Sequence, residues 1–426
     1  MQPASSASRD PLFWCAVLTV FFLALVWHRL GMPPKIYFDE VHYIPAARKL
    51  LELRMANPEH PPFGKEVIAA AIALLGDKPL YWRVPSALLG ALGLFAFSRA
   101  LWWASRRAAV AITGAFLVAT SFLWFIQSRI AMLDMVMASM AMVALWMFIS
   151  AMALPRQGRW RLALCGLASG LAMAAKWSVA PLLVLPGLIF LALKLRDGRG
   201  RFLIARDGGP VPGITLIEAG CWLGVLPIAV YWLTFLPNFF YVDRPVSPLA
   251  FIEHHRWMLE LQDSVKRPHP YRSVWYQWVV NWRAMWYLYD PDTGVQRGVL
   301  LIGNPFTMLA GLPAMLWCLW AGIKRRRMDC LGFAALYVVA VAFWPLSGKP
   351  VQFYYHYLLP SVFLMACLAL ALDDLWQARS RWRWLAPASL AAAAGVFVYF
   401  YPIISAAALP DGRPSYVKWM WLHSWR

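Results

Sequence analysis

The sequence predicts an all-α polytopic membrane protein, and three observations carry that reading. Of its 426 residues, 61% are hydrophobic and 14% charged, with a mean hydropathy of +0.54. A soluble chain of this length needs more polar surface than that composition supplies. Apolar runs repeatedly approach or exceed the roughly 20 residues that cross a bilayer. Short basic connections alternate with longer hydrophilic segments, and that alternation defines a topology.

The first run, 12–31, is long for a signal-peptide core, and WHRLGMPPK (27–35) offers no small-residue cleavage site, so it reads as a retained helix. Ten more spans follow at about 82–103, 108–125, 130–152, 160–176, 178–194, 214–236, 298–322, 328–345, 354–374 and 383–402. Arg106/Arg107, PRQGRWR (155–161), KLRDGRGRFLIARDG (194–208), KRRR (324–327) and RSRWR (379–383) then all fall on one side. The positive-inside rule makes that side cytoplasmic, which predicts eleven spans with the N-terminus inside and the C-terminus outside. The net charge of +19 is spread among these connections and forms no basic arm, which argues against a nucleic-acid partner. Cysteines 15, 165, 221, 318, 330 and 367 lie in or beside apolar segments, as small buried hydrophobes do, and imply no disulfide framework.

Two long outer segments result, about 32–81 and 237–297, with an outer tail from about 403. The short outer turns each hold one basic residue, Arg129, Lys176 or Lys349, against the local charge rule. All eight histidines map to the outer face or an outer helix end. Asp134 lies near the outer start of the fourth span, a depth at which an ionisable group is costly and a functional candidate; the plainer reading is an ion pair with Arg129. No tandem repeat stands out, and no pair of broken helices in matching halves of the kind an inverted-repeat transporter carries; a transporter or lipid flippase is further disfavoured because the acidic pair Asp39–Glu40 lies in an outer loop and not near the bilayer midplane.

In the first outer segment, YFDEVHYIPAARKLL (37–51) sets Asp39 beside Glu40 at the membrane surface. Residues 45–53 read as a short amphipathic helix with Pro45 in its first turn, and an Asp just before a helix ordinarily caps it. Pro61 and Pro62 hold His60 in extended backbone, and Lys65 opens a second, shorter apolar segment. Two carboxylates, His42, His60 and Lys65 thus share one loop on the same side as Arg129, Lys176 and Lys349, a grouping suited to chemistry on a lipid-linked anion. Trp275, Trp278, Trp282 and Trp286 are spaced for one face of a helix lying on the membrane, and YVKWMWLHSWR (416–426) reads as an interfacial anchor.

FDEVHY (38–43), EHPPFGK (59–65), SRIAMLD (128–134), GLAMAAKWSVAPLL (170–183), HPYRSVWYQW (269–278), GNP (303–305) and YYHYLLPSV (354–362) occur in this order over most of the chain. The ordered set resembles the protein O-mannosyltransferase family, within the GT-C class of polyprenyl-phosphate-sugar-dependent glycosyltransferases. Eukaryotic members carry a large soluble β-trefoil domain between the seventh and eighth helices. Here only 237–297 occupies that place, so the chain looks like the compact bacterial form, one integral-membrane domain over 1–426 with helices and outer tail in 298–426.

The resemblance implies a polyprenyl-phosphate-mannose donor and Ser/Thr of secreted or membrane proteins as acceptor, at the outer face of the cytoplasmic membrane. The nearest rival keeps the donor chemistry but glycosylates a lipid or polysaccharide, as lipid A aminoarabinose transferases do. A sugar phosphate already has a good leaving group, so no acid need protonate it. The reaction needs one base for the incoming hydroxyl and cations for the departing phosphate. The resemblance implies that Asp39 is the base in an inverting displacement, with Glu40 orienting a partner or helping to bind a divalent metal ion. Lys65, Arg129, Lys176 and His356 are the phosphate candidates, with Tyr354 as a hydrogen-bond donor and His42, His60, Asp134 and Lys349 in support.

Overall fold

The computed structural model describes residues 9–264, 269–290, 295–378, 380–409 and 415–426. Parts of the second outer segment (265–268, 291–294), Arg379 of one basic connection and 410–414 of the tail lie outside them. Helices run α1 (Leu12–Trp27), α2 (Glu40–Leu51), α3 (Phe63–Leu75), α4 (Pro79–Ser105), α5 (Ala108–Ala119), α6 (Phe122–Gln127), α7 (Leu133–Ala153) and α8 (Gly158–Ala175). Then come α9 (Trp177–Gly198), α10 (Leu216–Phe240), α11 (Phe251–Asp263) and α12 (Trp275–Val279). After a hairpin follow α13 (Pro305–Lys324), α14 (Met328–Leu346), α15 (Tyr354–Gln377) and α16 (Arg381–Ile404).

Helices occur at every expected span. Among the described residues, eight (α4, α7, α9, α10 and α13 to α16) are long and apolar enough to cross a membrane. Of the other three, α1 and α5 have 16 and 12 residues, and α8 starts with Arg159 and Arg161 near its first turn. Most side chains of α7 and α15 are buried, whereas few of those of α9 and α10 are. Apolar side chains exposed along a helix of that length face lipid. The α4–α7–α8 layer packs beside α1 and α5, and α15 joins α5 to α13 and α14. Gly166 and Gly170 let α8 meet α10 backbone to backbone: a Cβ on Gly166 would sit 2.0 Å from the Trp222 carbonyl oxygen.

The basic connections gather at one end of the bundle. Arg107 reaches Asp329, Asp373 and Asp374, and Arg327 reaches Asp329 and Asp374. Arg106 and Arg161 both lie over the Trp103 ring, Arg159 pairs with Glu218, and Asp10, ahead of α1, pairs with Arg99. The two long hydrophilic segments meet at the other end, where the Val242 N–H donates to the Leu53 carbonyl at 2.8 Å, and the tail joins them there through Trp425 Nε1, which donates to the Asn281 carbonyl at 3.0 Å.

Three local expectations are corrected. The strands β1 (Met285–Asp290) and β2 (Arg297–Leu301) pair antiparallel, with a bulge between Trp286 and Leu288, so the fold is helical with one small hairpin. The four tryptophans do not share a helical face. Asn281, at φ +56°, stops α12 after five residues; Trp278 is fully buried and Trp286 belongs to β1. Finally, α2 begins at Glu40, so Pro45 lies inside it and not in its first turn; α2 thus forms without the missing N–H.

Candidate active site

Asp39 and Glu40 are neighbours in sequence with opposite environments. Helical geometry turns successive side chains about a third of a revolution apart, and here one carboxylate is wholly buried while the other stays half-buried. Glu40 is fully buried: Arg83 Nε and Nη2 donate to its two oxygens at 2.8 and 2.9 Å. The Ala131 and Tyr37 backbone N–H groups add bonds of 3.1 and 3.3 Å. The other guanidinium hydrogens go to the carbonyls of Leu30, Pro33 and Lys35. Removing one partner of such a pair costs about 3–5 kcal/mol. Glu40 therefore ties α2 to α4 and to the strand-like turn before α7. Its oxygens are committed, so Asp39, Glu40 and His42 do not converge as a ligand set for a divalent ion. Among the described residues no three His, Cys, Asp or Glu side chains cluster in that way.

Asp39 occupies the N-cap position of α2, yet its side chain makes no capping bond. The preceding Phe38 has φ +51°, a conformation that costs a bulky residue about 1–3 kcal/mol. Stacking holds it there: its ring lies 3.8 Å from that of Tyr287, 14° from parallel, and edge-on to Tyr355. Gln127 fixes Tyr287 through a 3.0 Å bond to its hydroxyl. Asp39 is half-buried in this aromatic setting, and burial pushes its carboxyl up to about 6, with Asp134 adding to the rise while Lys176, His42 and Lys349 oppose it.

Lys176 ends α8 in extended backbone, and its Nζ bonds both oxygens of Asp134 at 2.8 Å. Both side chains are almost wholly buried, and the ammonium also lies 4.7 Å from the Tyr355 ring centroid. The partner of Asp134 is thus Lys176, not Arg129. A small, partly open pocket lies beside this pair, lined on its polar part by Asp134, Ser178, Tyr355 and His356 and on its apolar part by Leu182 and Phe343. His356 stacks on Trp344 at 3.9 Å, and its Nδ1 accepts the Phe353 N–H at 3.0 Å. The neutral ring then carries its proton on Nε2, and that atom is buried without a partner.

Lys349 is half-buried near these groups; burial, then Lys176, holds its ammonium down to about 8. Burial holds the His60 ring well below the ordinary range, helped by Lys176 and Lys349. His42 is exposed.

Three expected phosphate contacts are corrected. Arg129 donates to the carbonyls of His28 and Arg29 at 2.8 and 3.1 Å, and to Val26 and Ser405. It closes the end of α1 and does not line the cavity. Lys65 Nζ is buried and bonds the carbonyls of Asn57 and His60 at 2.5 and 2.8 Å; burial holds it down to about 7. Its hydrogens pin the loop to α3. Tyr354 is fully buried, donates to Asn281 Oδ1 and accepts the Gly303 N–H at 3.0 Å. Asn281 completes that node with bonds to both Gly303 backbone groups, which places the GNP turn at the start of α13.

Sequence reasoning missed Arg83, Tyr287 and Tyr355. An arginine inside an apolar run could have exposed the first; the two tyrosines carry no local signal.

Family models match three stretches of the chain: "Dolichyl-phosphate-mannose-protein mannosyltransferase" over residues 16–86 and again over 59–203, and "C-terminal four TMM region of protein-O-mannosyltransferase" over 249–425. A polyprenol-phosphate-mannose–protein mannosyltransferase of Mycolicibacterium smegmatis is 25% identical, over 96% of this chain and 92% of its own. Its counterpart in Corynebacterium glutamicum is 26% identical over 98% and 94%. A chain of the Saccharomyces cerevisiae Pmt1–Pmt2 complex bound to the sugar donor shares the fold, with a TM-score of 0.82 at 15% identity over 99% of this chain and 93% of that one. ArnT of Cupriavidus metallidurans, bound to undecaprenyl phosphate, shares it less closely, with a TM-score of 0.59 at 18% identity over 94% and 67%. With matches from residue 16 to residue 425 and relatives aligned nearly end to end, this integral-membrane chain belongs to the protein O-mannosyltransferase family of GT-C glycosyltransferases.

Proposed function

We infer that this protein moves mannose from a polyprenyl-phosphate donor to Ser/Thr hydroxyls of exported proteins, with Asp39 as general base. The acceptor oxygen attacks C1 of the sugar while the bond from C1 to the phosphate oxygen breaks. The hydroxyl proton passes to Asp39, and the phosphate leaves with the bonding pair. Attack and departure on opposite faces invert the anomeric centre.

The observation that carries this reading is the unpartnered, buried Nε2–H of His356 at a cavity walled by Asp134 and apolar side chains. A neutral imidazole N–H can donate to a phosphate oxygen, and the Lys176 ammonium beside it balances the charge that grows on departure. In a low-dielectric site both act more strongly than in water. The apolar wall suits the first isoprenoid units. Family membership supplies the mannose and the protein acceptor.

Eleven spans, N-terminus inside and C-terminus outside, would place the site on the outer face of the cytoplasmic membrane. The hydroxyl of an exported chain and a donor lipid delivered through the bilayer meet there.

Transfer of labelled mannose from synthetic polyprenyl-phosphate-mannose to a Ser/Thr-rich exported polypeptide, by the purified protein, tests this. The expected result is alkali-labile label on hydroxyl side chains of the polypeptide. Label on lipid A or a polysaccharide alone would overturn the acceptor, and transfer only from another sugar phosphate would overturn the donor.

A further inference from the structure

We propose that Tyr231 and His255 are positioning residues for transfer: acting through Trp177, they hold Lys176 in place and so couple the docking of α11 to the donor site. The proposal rests on the reading above, in which Lys176 faces the leaving phosphate.

Lys176 and Trp177 are consecutive at the break between α8 and α9. Trp177 Nε1 donates to the Tyr231 hydroxyl at 3.0 Å. That hydroxyl lies 2.7 Å from His255 Nε2, and His255 Nδ1 lies 2.7 Å from the Phe251 carbonyl oxygen. The chemistry fixes one polarity for this chain. An indole N–H only donates, so the Tyr231 oxygen accepts from it and sends its own hydrogen to His255 Nε2. Nε2 is then bare, the ring proton sits on Nδ1, and it goes to a carbonyl that only accepts. Every polar hydrogen has one acceptor, and only a neutral His255 satisfies them all. Burial holds His255 below its ordinary range, which keeps the ring neutral near pH 7.

Ring packing stiffens the arrangement. The His255 ring stacks on Trp177 with centroids 5.8 Å apart and lies against Phe235 and Phe251 at 5.1 and 4.2 Å.

The helix that carries His255 also reaches the loop between α2 and α3, at the other end of α2 from Asp39. Gln262 Nε2, at the far end of α11, donates to the Glu59 carbonyl at 2.6 Å. The segment between α10 and α11 adds Val242 N–H to the Leu53 carbonyl at 2.8 Å and an Asp243 Oδ1 that accepts the Met55 N–H at 3.0 Å. Thus α11 is bonded to the α2–α3 loop on one side and, through Tyr231, to the Lys176–Trp177 junction on the other. Losing the Tyr231 bond frees Trp177 to shift, and the adjacent Lys176 moves with it relative to Asp134 and Tyr355. Small misplacements of a positioned charge are costly in rate.

The full-length protein, wild type and as Tyr231→Phe, His255→Phe and His255→Gln, would be compared with synthetic polyprenyl-phosphate-mannose and a Ser/Thr-rich peptide. Both phenylalanine variants keep the ring packing and remove the bonds. They should lower kcat on the order of 10- to 100-fold, with the peptide KM unchanged and thermal melting close to wild type. His255→Gln presents an amide oxygen to Tyr231 and should recover most of the loss, which a purely packing role would not produce. Wild-type kcat in folded Tyr231→Phe would overturn the proposal, as would a His255→Gln no better than His255→Phe. If the wild type itself transfers nothing from this donor, the reading of the reaction fails first, and separately.

Discussion

Asp39 and Glu40 show how far residue identity determines chemistry and where it stops. Their order in FDEVHY pointed to a reactive carboxylate, but nothing local says which of the two reacts. Arg83, 43 residues after Glu40, sets the two apart: Glu40 is buried in an ion pair, while Asp39 stays half-buried with its carboxyl raised to about 6. As a base Asp39 must be ionised, so transfer should rise through about pH 6 and level off above it. The stability sign is opposite. A carboxyl whose folded pKa lies above the ordinary value near 3.9 binds its proton more tightly when folded, so its contribution to stability falls as pH climbs from about 4 to about 6 and stays lost at neutral pH. Asp39→Asn should therefore lose transfer by on the order of 100- to 10,000-fold and yet melt at the wild-type temperature or above it at pH 7. Transfer assays across pH 5 to 8, paired with melting curves, check both halves; a variant that is inactive because it melts early would refute this account of Asp39. Similar reasoning explains the misread cations. Lysine or arginine near a helix end on the outer side was legible, but whether its hydrogens meet backbone carbonyls, as for Arg129 and Lys65, or a carboxylate beside a cavity, as for Lys176, depends on partners distant in sequence.

Elements were legible in proportion to their length and apolarity. Spans of about 20 apolar residues announced themselves because a bilayer leaves them no other stable conformation. Short elements at the surface did not. Four tryptophans at helical spacing fit one helix face, but Asn281 in left-handed backbone ends α12, and the next residues pair as a hairpin. Pro45 was placed in a first turn because its ring lacks an N–H, whereas α2 tolerates that gap one turn further in. The α8–α10 contact was equally silent, since Gly166 and Gly170 look like any glycines in an apolar run. The contact has a measurable consequence. A side chain at Gly166 meets the Trp222 carbonyl, which is backbone and cannot swing aside. Gly166→Val should push α10 off α8 and lower stability by about 1–3 kcal/mol, the usual cost of overpacking, seen as an earlier melt in detergent. Gly395, which has open space around it, serves as the control: Gly395→Ala should leave melting unchanged. Because Tyr231 lies on α10, Gly166→Val should also reduce transfer before the protein unfolds.

At the scale of the whole molecule the two ends differ in chemistry. One end holds the Arg107, Arg327, Asp329, Asp373 and Asp374 cluster with Asp10 ahead of α1, while the other holds both long hydrophilic segments, with Asp39, the proposed base, and Trp425 near the C-terminus. Sequence charge alone separated these ends, because lysine and arginine are retained on the cytoplasmic side during insertion. Which end faces which compartment decides the biology: a site on the outer face meets exported chains, and a site on the inner face would meet cytosolic ones. Single cysteines can report this in a background with the six native cysteines replaced. Glu52, just after α2, has a side chain 65% exposed, and Arg196, near the end of α9, one 70% exposed. In intact cells a membrane-impermeant maleimide should label Glu52→Cys and leave Arg196→Cys untouched until the membrane is opened. The eleven crossings proposed above would separate the termini across the bilayer, so a tag on residue 426 should be reached from outside and one ahead of residue 9 only after permeabilisation. Labelling of Arg196→Cys in intact cells, with Glu52→Cys protected, would invert the protein and remove exported proteins as acceptors. Labelling of both termini from one side would instead demand an even number of crossings, and would single out α1, α5 and α8 as the helices to re-examine, since these three fall outside the eight that length and apolarity assign to the membrane.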